Sequence, residues 1–215
     1  MVDFSYELAA GWRKDFFVCG VDEAGRGPCA GPLCVAAVVL DKRRVPKGID
    51  DSKALTEARR FELEGAIKDA ALAWSVITIA VEDIDRMNIL AATMHGMTQA
   101  VMSLSPAAHH ALIDGNRCPG LDIPATAVIG GDALSLSIAA ASILAKTARD
   151  RIMIELDDIY PAYGFRKHKG YQAEAHLRAL RVHGPSPVHR RSWSTIRDLT
   201  GRHPTRNAMQ LALKP

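Results

Sequence analysis

Apolar residues in this chain occur either in short continuous runs or at helical spacing along longer stretches. The short runs predict strands over 16–21, 33–40, 111–113 and 125–129, and alternation of apolar and polar residues predicts a further strand over 73–81. The helical spacing predicts helices over 56–72, 84–103, 137–160 and 173–183. Thr56 is a suitable N-cap for the first of these helices. The order of elements predicts an α/β fold, with a mixed sheet that carries helices on its faces.

The first two predicted strands follow each other so closely that an antiparallel hairpin is expected. The helix over 137–160 is rich in small residues near its start, which favours close packing on the sheet. We predict a catalytic domain over 1–160 and a helical C-terminal extension over 161–215, packed on the same domain. No internal repeat or low-complexity linker interrupts this organisation.

Composition adds little on function but excludes some classes. The chain has 215 residues, of which 48% are hydrophobic and 24% charged, as in ordinary globular proteins. Its net charge is only +3, but Lys, Arg and His are concentrated over 166–206. That segment suits either a phosphate backbone or a solvated surface.

The four cysteines form no CxxC pair, so a zinc site is not expected. No apolar run is long enough for a signal peptide or a membrane span. Unpaired thiols and the missing export signal predict a cytoplasmic location.

Acidic residues follow several of the predicted strands. Asp22-Glu23, Asp114 and Asp132 each fall at or just past the end of an apolar run, and such ends gather in one crevice of an open α/β sheet. Two carboxylates about 5 Å apart repel by roughly 3 kcal/mol at an effective dielectric of about 20, so the cluster needs cations. Oxygen ligands alone favour Mg²⁺ or Mn²⁺. A single acid in such a place could equally form a turn or cap a helix, but the fused pair directly follows a buried run.

A glycine-rich turn, Gly25-Arg26-Gly27, comes directly after the acidic pair. Its bare backbone N–H groups could approach a phosphate or another ligand closely. The glycines at 25, 27 and 31 miss the GxGxxG spacing by one position, and no helix pattern follows them. Gly-Lys-Ser/Thr is also absent from the turn, so neither a dinucleotide-binding loop nor a Walker A loop is predicted.

Seven segments together resemble the bacterial ribonuclease HII family, in the family's order, from about residue 18 to residue 194. They are VDEAGRGP (21–28) with AGP (30–32), DSKALT (51–56), IDRMNIL (84–90), LIDG (112–115), AAASILAKTARD (139–150), HKGY (168–171) and HRRS (189–192). The resemblance implies a ribonuclease H-like fold with a five-stranded mixed sheet and a C-terminal helical extension. It also implies cleavage of the RNA strand of RNA–DNA hybrids, and cleavage 5′ of single ribonucleotides embedded in duplex DNA.

The same resemblance implies roles for individual residues. The family's four acids correspond to Asp22, Glu23, Asp114 and Asp132, which would hold two Mg²⁺ or Mn²⁺ ions and give 3′-hydroxyl and 5′-phosphate ends. The turn Gly25-Arg26-Gly27 would contact the ribose 2′-hydroxyl, and Tyr171 would pack on the neighbouring sugar. Further substrate-binding positions are expected at Ser52, Lys53, Asn88, Lys146 and Arg149. For Lys146 the alternative is a surface ion pair with Asp150 on the same helix.

The chain departs from the family pattern at two places. Gly130-Gly131-Asp132 stands where many members have Lys-Gly-Asp, and Trp193 stands where Phe is usual. His168, His176, His183 and His189 are expected to be phosphate or surface residues rather than metal ligands.

The last expectations from the sequence concern binding partners, the oligomeric state and alternative functions. The tail Gln210-Leu211-Ala212-Leu213 resembles a sliding-clamp peptide, although it could instead pack on its own domain. A monomer is expected. Two rival functions remain open: a nucleic-acid-binding module without catalysis, and another nuclease or strand transferase on the same kind of fold.

Overall fold

A computed structural model describes residues 2–200 of the chain and contains one five-stranded mixed sheet. The strands are β1 (Val18–Ala24), β2 (Leu33–Val39), β3 (Ala73–Ile79), β4 (His110–Asp114) and β5 (Ala125–Val128). Their order is β3-β2-β1-β4-β5. The pairs β1–β2 and β2–β3 are antiparallel, whereas β1–β4 and β4–β5 are parallel. The predicted mixed sheet and its opening hairpin are therefore confirmed.

Helices cover both faces of the sheet. They are α1 (Ser5–Ala9), α2 (Glu57–Ala70), α3 (Val81–Met87), α4 (Ile89–Met102), α5 (Leu136–Ile159), α6 (Phe165–His168), α7 (Glu174–His183) and α8 (Ser194–Leu199). A 3-10 turn, Gly131–Ala133, precedes α5. Thr56 caps α2 as predicted, because its side chain accepts a hydrogen bond from the Arg59 N–H. No helix within residues 2–200 is both long and apolar enough to cross a bilayer.

The long helix α5 packs directly on the central strand. A Cβ atom on Gly20 would lie 2.1 Å from the backbone carbon of Ser137, so only glycine allows this approach. Alanines of α5 fill the same buried cluster as Ala36 and Val38 of β2. On the other face, Met97 of α4 packs against apolar residues of β1 and β2. The close packing predicted from the small residues of α5 is confirmed.

The prediction of one helix over 84–103 was wrong. The structure has two helices there, α3 and α4, which meet at Asn88. Asn88 has φ 72°, a left-handed conformation that Asn adopts more easily than most residues. Its side-chain oxygen accepts hydrogen bonds from the N–H groups of Leu90 and Ala91, so it caps α4.

The predicted end of the first strand was also wrong. The pattern placed Asp22-Glu23 in a turn after the strand, but β1 continues to Ala24. The antiparallel ladder explains the difference, because β2 pairs with β1 as far as Ala24 opposite Cys34. The acidic pair therefore lies inside a central strand, where backbone pairing restricts its movement.

The segment after α5 packs against the loop between β1 and β2. An isolated bridge joins Ala30 to His189, and Cys29, Met153 and Phe165 share a buried cluster. The domain boundary at residue 160 stays a prediction. The proposed clamp peptide at 210–213 lies outside the described residues.

Candidate active site

A cleft of about 310 Å³ opens at the ends of β1 and β4. Its lining consists of Asp22, Glu23, Ala24, Gly25, Arg26, Gly27, Ser52, Lys53, Asp114, Ser142, Lys146, Arg149 and Tyr171. Most of the predicted site residues therefore lie around one cavity, although they come from five separate stretches of the chain. Asp132 and Asn88 are the two predicted residues that do not line it.

Asp22 and Glu23 lie side by side on β1 and point to opposite faces of the sheet, as neighbours on a strand do. Asp22 is 5% exposed and lies opposite Ala36 of β2, on the face that α5 covers. Its Oδ1 accepts a hydrogen bond from the Glu23 N–H at 2.7 Å. Glu23 Oε1 accepts from Arg26 Nη1 at 3.1 Å, whereas Glu23 Oε2 is buried and has no hydrogen-bond partner.

Asp114 and Asp132 approach the pair from the neighbouring strands. The parallel register pairs Val21 with Ile113, so Asp114, the last residue of β4, lies at the level of Asp22. Asp114 Oδ1 accepts the Gly131 N–H at 2.7 Å, which ties the strand end to the 3-10 turn. Asp132 lies in that turn, and its Oδ2 accepts from Lys53 Nζ at 2.6 Å. A lysine from another segment thus contacts Asp132, although position 130 lacks the family's usual lysine.

The acids perturb one another electrostatically. Burial, and next the charges of Glu23 and Asp114, raise the pKa of Asp22 well above its usual value. Burial also raises the pKa values of Glu23 and Asp114, and the charge of Asp132 adds to the increase for Asp114. The hydrogen bond to Asp132 is the main cause that raises the pKa of Lys53. These carboxylates therefore favour a nearby positive charge.

The donor set fits a hard divalent cation. It contains only carboxylate oxygens, which suit Mg²⁺ and Mn²⁺, and Glu23 Oε2 is a buried acceptor without a partner. No three Asp, Glu, His or Cys side chains within residues 2–200 already converge as a preformed metal cage. Each acid instead has a protein partner, such as Arg26 for Glu23 and Lys53 for Asp132. The metal-ligand roles of the four acids stay predictions.

The glycine turn and Tyr171 lie next to each other in the lining of the cleft. Gly25 has φ 102°, a conformation that L side chains rarely adopt. A Cβ atom on Gly27 would lie 3.5 Å from Cε1 of Tyr171, so the aromatic ring lies directly beside the turn. The Tyr171 side chain is 51% exposed, which leaves it accessible to a ligand in the cleft.

Ser52 and Lys53 reach the cleft from the loop before α2. Ser52 is buried and its hydroxyl lies 2.9 Å from that of Ser142 on α5. Arg60 Nη1 donates to the carbonyls of Ser52 and Leu55, which holds the loop in place. The exposed Lys53 is therefore presented by a loop that α2 and α5 support.

Lys146 and Arg149 have protein partners that explain their positions. Lys146 Nζ donates to Asp150 Oδ1 at 2.5 Å. This is the ion pair that the sequence offered as the alternative to substrate binding. Arg149 is 1% exposed and donates to the carbonyls of Pro32 and Ala30. Its guanidinium holds the loop behind the glycine turn, and substrate contact by either residue stays a prediction.

The contacts of Arg190, in the C-terminal segment, were not predicted from the sequence. Arg190 is fully buried, and its guanidinium donates to the carbonyls of Gly25, Arg26, Gly31 and Pro32. Arg190 lies in the HRRS segment, but no local pattern indicates a contact with a turn more than 160 residues away.

The surface or phosphate role expected for His176 and His189 was wrong, because both are fully buried. Their Nε2 atoms lie 2.9 Å apart, His176 Nδ1 lies 2.8 Å from the Tyr171 carbonyl, and the Ser186 N–H donates to His189 Nδ1. This chain of hydrogen bonds supports the backbone of Tyr171.

Comparisons with known proteins found relatives with similar sequences and solved structures with a similar fold. The family model described as Ribonuclease HII matches residues 19–196. Ribonuclease HII of Dechloromonas aromatica is 56% identical over 179 residues, which cover 83% of this chain and 91% of the relative. Ribonuclease HII of Caulobacter vibrioides is 52% identical over 195 residues, 91% of each chain.

Solved structures of other ribonucleases have a similar fold. The ribonuclease H2 of Pyrococcus horikoshii superposes with a TM-score of 0.70 and 28% identity, covering 87% of this chain and 98% of that one. The ribonuclease HII of Archaeoglobus fulgidus, solved in a complex with PCNA, gives a TM-score of 0.70 and 26% identity, covering 89% and 99%. Bst-RNase HIII, solved with Mn²⁺, shares the fold at a TM-score of 0.63 and 20% identity, covering 90% and 72%.

Proposed function

Because this chain belongs to the ribonuclease HII family, we propose that it cuts DNA duplexes 5′ of single embedded ribonucleotides. Two divalent ions would take part in the cleavage. As a member of the family, it is a metal-dependent endoribonuclease that cleaves the RNA strand of RNA–DNA hybrids. The proposal adds the embedded ribonucleotide as a substrate, 3′-hydroxyl and 5′-phosphate ends as products, and the number of ions.

Asp22, Glu23, Asp114 and Asp132 would hold the ions. Bound Mg²⁺ or Mn²⁺ supplies a Lewis acid that activates water and stabilises the leaving oxygen. The protein's own part is positioning, since β1 and β4 fix Asp22 and Asp114 on neighbouring strands. The 3-10 turn presents Asp132, and the unpartnered Glu23 Oε2 supports a cation close to that carboxylate.

Recognition of the ribose would fall to the Gly25–Gly27 turn and to Tyr171. The 2′-hydroxyl is the group that distinguishes RNA from DNA, and backbone N–H groups of a glycine turn can donate to it. The exposed Tyr171 ring beside the turn offers a flat apolar face for a sugar. The exposed Lys53 and Arg26 add positively charged groups for the phosphates, and the buried Ser52 adds a hydroxyl to the lining of the cleft.

A single observation carries the proposal: three of the four carboxylates, the glycine turn and Tyr171 line one cleft. The test uses two duplexes that differ only in one sugar, one with a single ribonucleotide and one entirely of DNA, each with Mg²⁺, Mn²⁺ or EDTA. We expect a cut 5′ of the ribonucleotide that needs the metal. Binding without cutting in Mn²⁺ would favour a binding module, and equal cutting of both duplexes would favour a different nuclease.

We also infer that the tail Gln210–Leu213 docks on a sliding clamp. The motif in the tail and the Archaeoglobus fulgidus protein solved with PCNA support this partner. A pull-down with immobilised clamp should retain the full chain better than a chain that lacks residues 209–215. Equal retention of the two would reject docking through this tail. A cytoplasmic location and a monomeric state stay predictions.

A further inference from the structure

The carbonyl groups of the Gly25–Gly27 turn all point at the C-terminal segment. Arg190 Nη2 donates to the Gly25 carbonyl at 2.6 Å, and Arg190 Nη1 donates to the Arg26 carbonyl at 3.1 Å. The indole N–H of Trp193 donates to the Gly27 carbonyl at 3.3 Å. Three successive carbonyls are thus held by two side chains that lie three residues apart.

The side chains of Arg190 and Trp193 are themselves held firmly in place. Arg190 is fully buried, its Nε donates to the Gly31 carbonyl at 2.9 Å, and its guanidinium lies 4.9 Å from the Trp193 ring centroid. The following backbone is fixed from α3, because Asp85 accepts hydrogen bonds from the N–H groups of Arg191 and Ser192 at 2.8 and 2.9 Å.

The direction of these carbonyls also determines where the N–H groups of the turn point. In a planar trans peptide the C=O of one residue points away from the N–H of the next. Because the Gly25 and Arg26 carbonyls point towards Arg190, the N–H groups of Arg26 and Gly27 point the opposite way. Both residues line the cleft, so these N–H groups are presented to a ligand there.

We propose that Arg190, assisted by Trp193, is the positioning residue that aims the N–H groups of the glycine turn at the ribose and so determines ribonucleotide specificity. The inference rests on the proposed function, because it assigns a cause to the ribose recognition stated there. A guanidinium is needed because its planar fork reaches several carbonyls at once, whereas the lysine ammonium is a compact point charge. Trp193 contributes an N–H that the phenylalanine usual in the family lacks.

The test compares Arg190→Lys with Arg191→Lys as the matched control, since Arg191 is the exposed neighbour and its contact to Asp85 uses only the backbone. kcat and KM are measured in Mg²⁺ on a duplex with one ribonucleotide. The Kd for the all-DNA duplex is measured in EDTA by fluorescence anisotropy, and urea unfolding checks that each variant is folded.

For Arg190→Lys we expect kcat to fall by about a hundredfold, because misplacing a positioning group by roughly 1 Å has an effect of that size. KM and the Kd for all-DNA duplex should stay within about twofold of the control, since Lys53 would bind phosphate from a different loop and Arg190 holds the backbone of Arg26 rather than its side chain. A kcat within about threefold of the control, or a parallel loss of DNA affinity, would overturn the proposal. If Arg190→Lys does not fold, Trp193→Leu decides, because it removes both the N–H to the Gly27 carbonyl and the ring beside the Arg190 guanidinium but keeps an apolar side chain. kcat should then fall about threefold to tenfold, whereas an unchanged kcat overturns the proposal.

Failure of the proposed function itself would look different. Wild-type protein would then cut the all-DNA duplex as fast as the duplex with one ribonucleotide, whatever the Arg190 variant does. If wild type prefers the duplex with one ribonucleotide and Arg190→Lys keeps both this preference and the full kcat, only the role of Arg190 is rejected.

Discussion

Gly25→Ala should destabilise the protein strongly, although the change adds a single methyl group. Gly25 has φ 102°, and its Cβ atom would lie 2.1 Å from Nε and 2.4 Å from Cδ of Arg149. Arg149 has little room to move, because it is buried and donates to the carbonyls of Pro32 and Ala30. The backbone conformation and the contact therefore both oppose the substitution.

The expected loss is the sum of two terms. A left-handed conformation costs an L residue about 1 to 2 kcal/mol. Displacing Arg149 breaks at least one hydrogen bond of a buried charged group, which contributes about 1.5 to 3 kcal/mol. Together the free energy of unfolding should fall by about 2.5 to 5 kcal/mol, a large part of the stability of a typical domain.

Urea unfolding followed by circular dichroism measures this change, and Gly27→Ala in the same turn is the matched control. Gly27 has no left-handed φ, and its Cβ atom would make an ordinary 3.5 Å contact with Tyr171. The control should therefore lose less than about 1 kcal/mol. Equal stability of Gly25→Ala and wild type, or equal losses in both variants, would refute the reasoning.

Two further predictions concern the buried His189 and the exposed cap residue Asn88. Burial, and next His176, lower the pKa of His189 to about 4. The unfolded chain then binds the proton first, so stability is complete above about pH 6.5 and is lost as the pH falls towards 4. Urea unfolding at a series of pH values should show that the free energy of unfolding of wild type falls by about 2 kcal/mol more than that of His189→Gln between pH 7 and pH 5. The same pH dependence of the free energy of unfolding in both proteins would contradict this. Asn88→Ala should lose about 2 kcal/mol, because it forfeits the α4 cap and strains a residue at φ 72°. Asn88→Gly keeps the backbone freedom and should lose only a few tenths, so equal losses in the two variants would exclude strain.

Periodicity predicted the sheet and the long helix because both depend on local patterns. Short apolar runs became the five strands, and small residues at the start of α5 allowed its contact with Gly20. The acids could be grouped from sequence because strand ends share an edge of the sheet. The resemblance added the turn and Tyr171, which local patterns alone leave ambiguous.

What could not be predicted depends on contacts between distant segments. The extension of β1 through Asp22 and Glu23 needs the ladder from β2, since the apolar pattern ends before it. The break at Asn88 depends on one residue with positive φ inside an otherwise helical pattern. The burial of Arg190 and His189 needs the loop that contains Ala30, about 160 positions earlier in the chain.

The most direct test of the central claim is cleavage of the single-ribonucleotide duplex by Asp22→Asn in Mg²⁺. The amide keeps the shape of the side chain but removes a buried carboxylate beside Glu23 and Asp114, so the protein should stay folded and at least as stable. The rate should fall by more than about a hundredfold, beyond the effect typical of a residue that only supports a metal ligand. Wild-type cleavage by a folded Asp22→Asn would contradict the assignment of Asp22 as a metal-binding carboxylate.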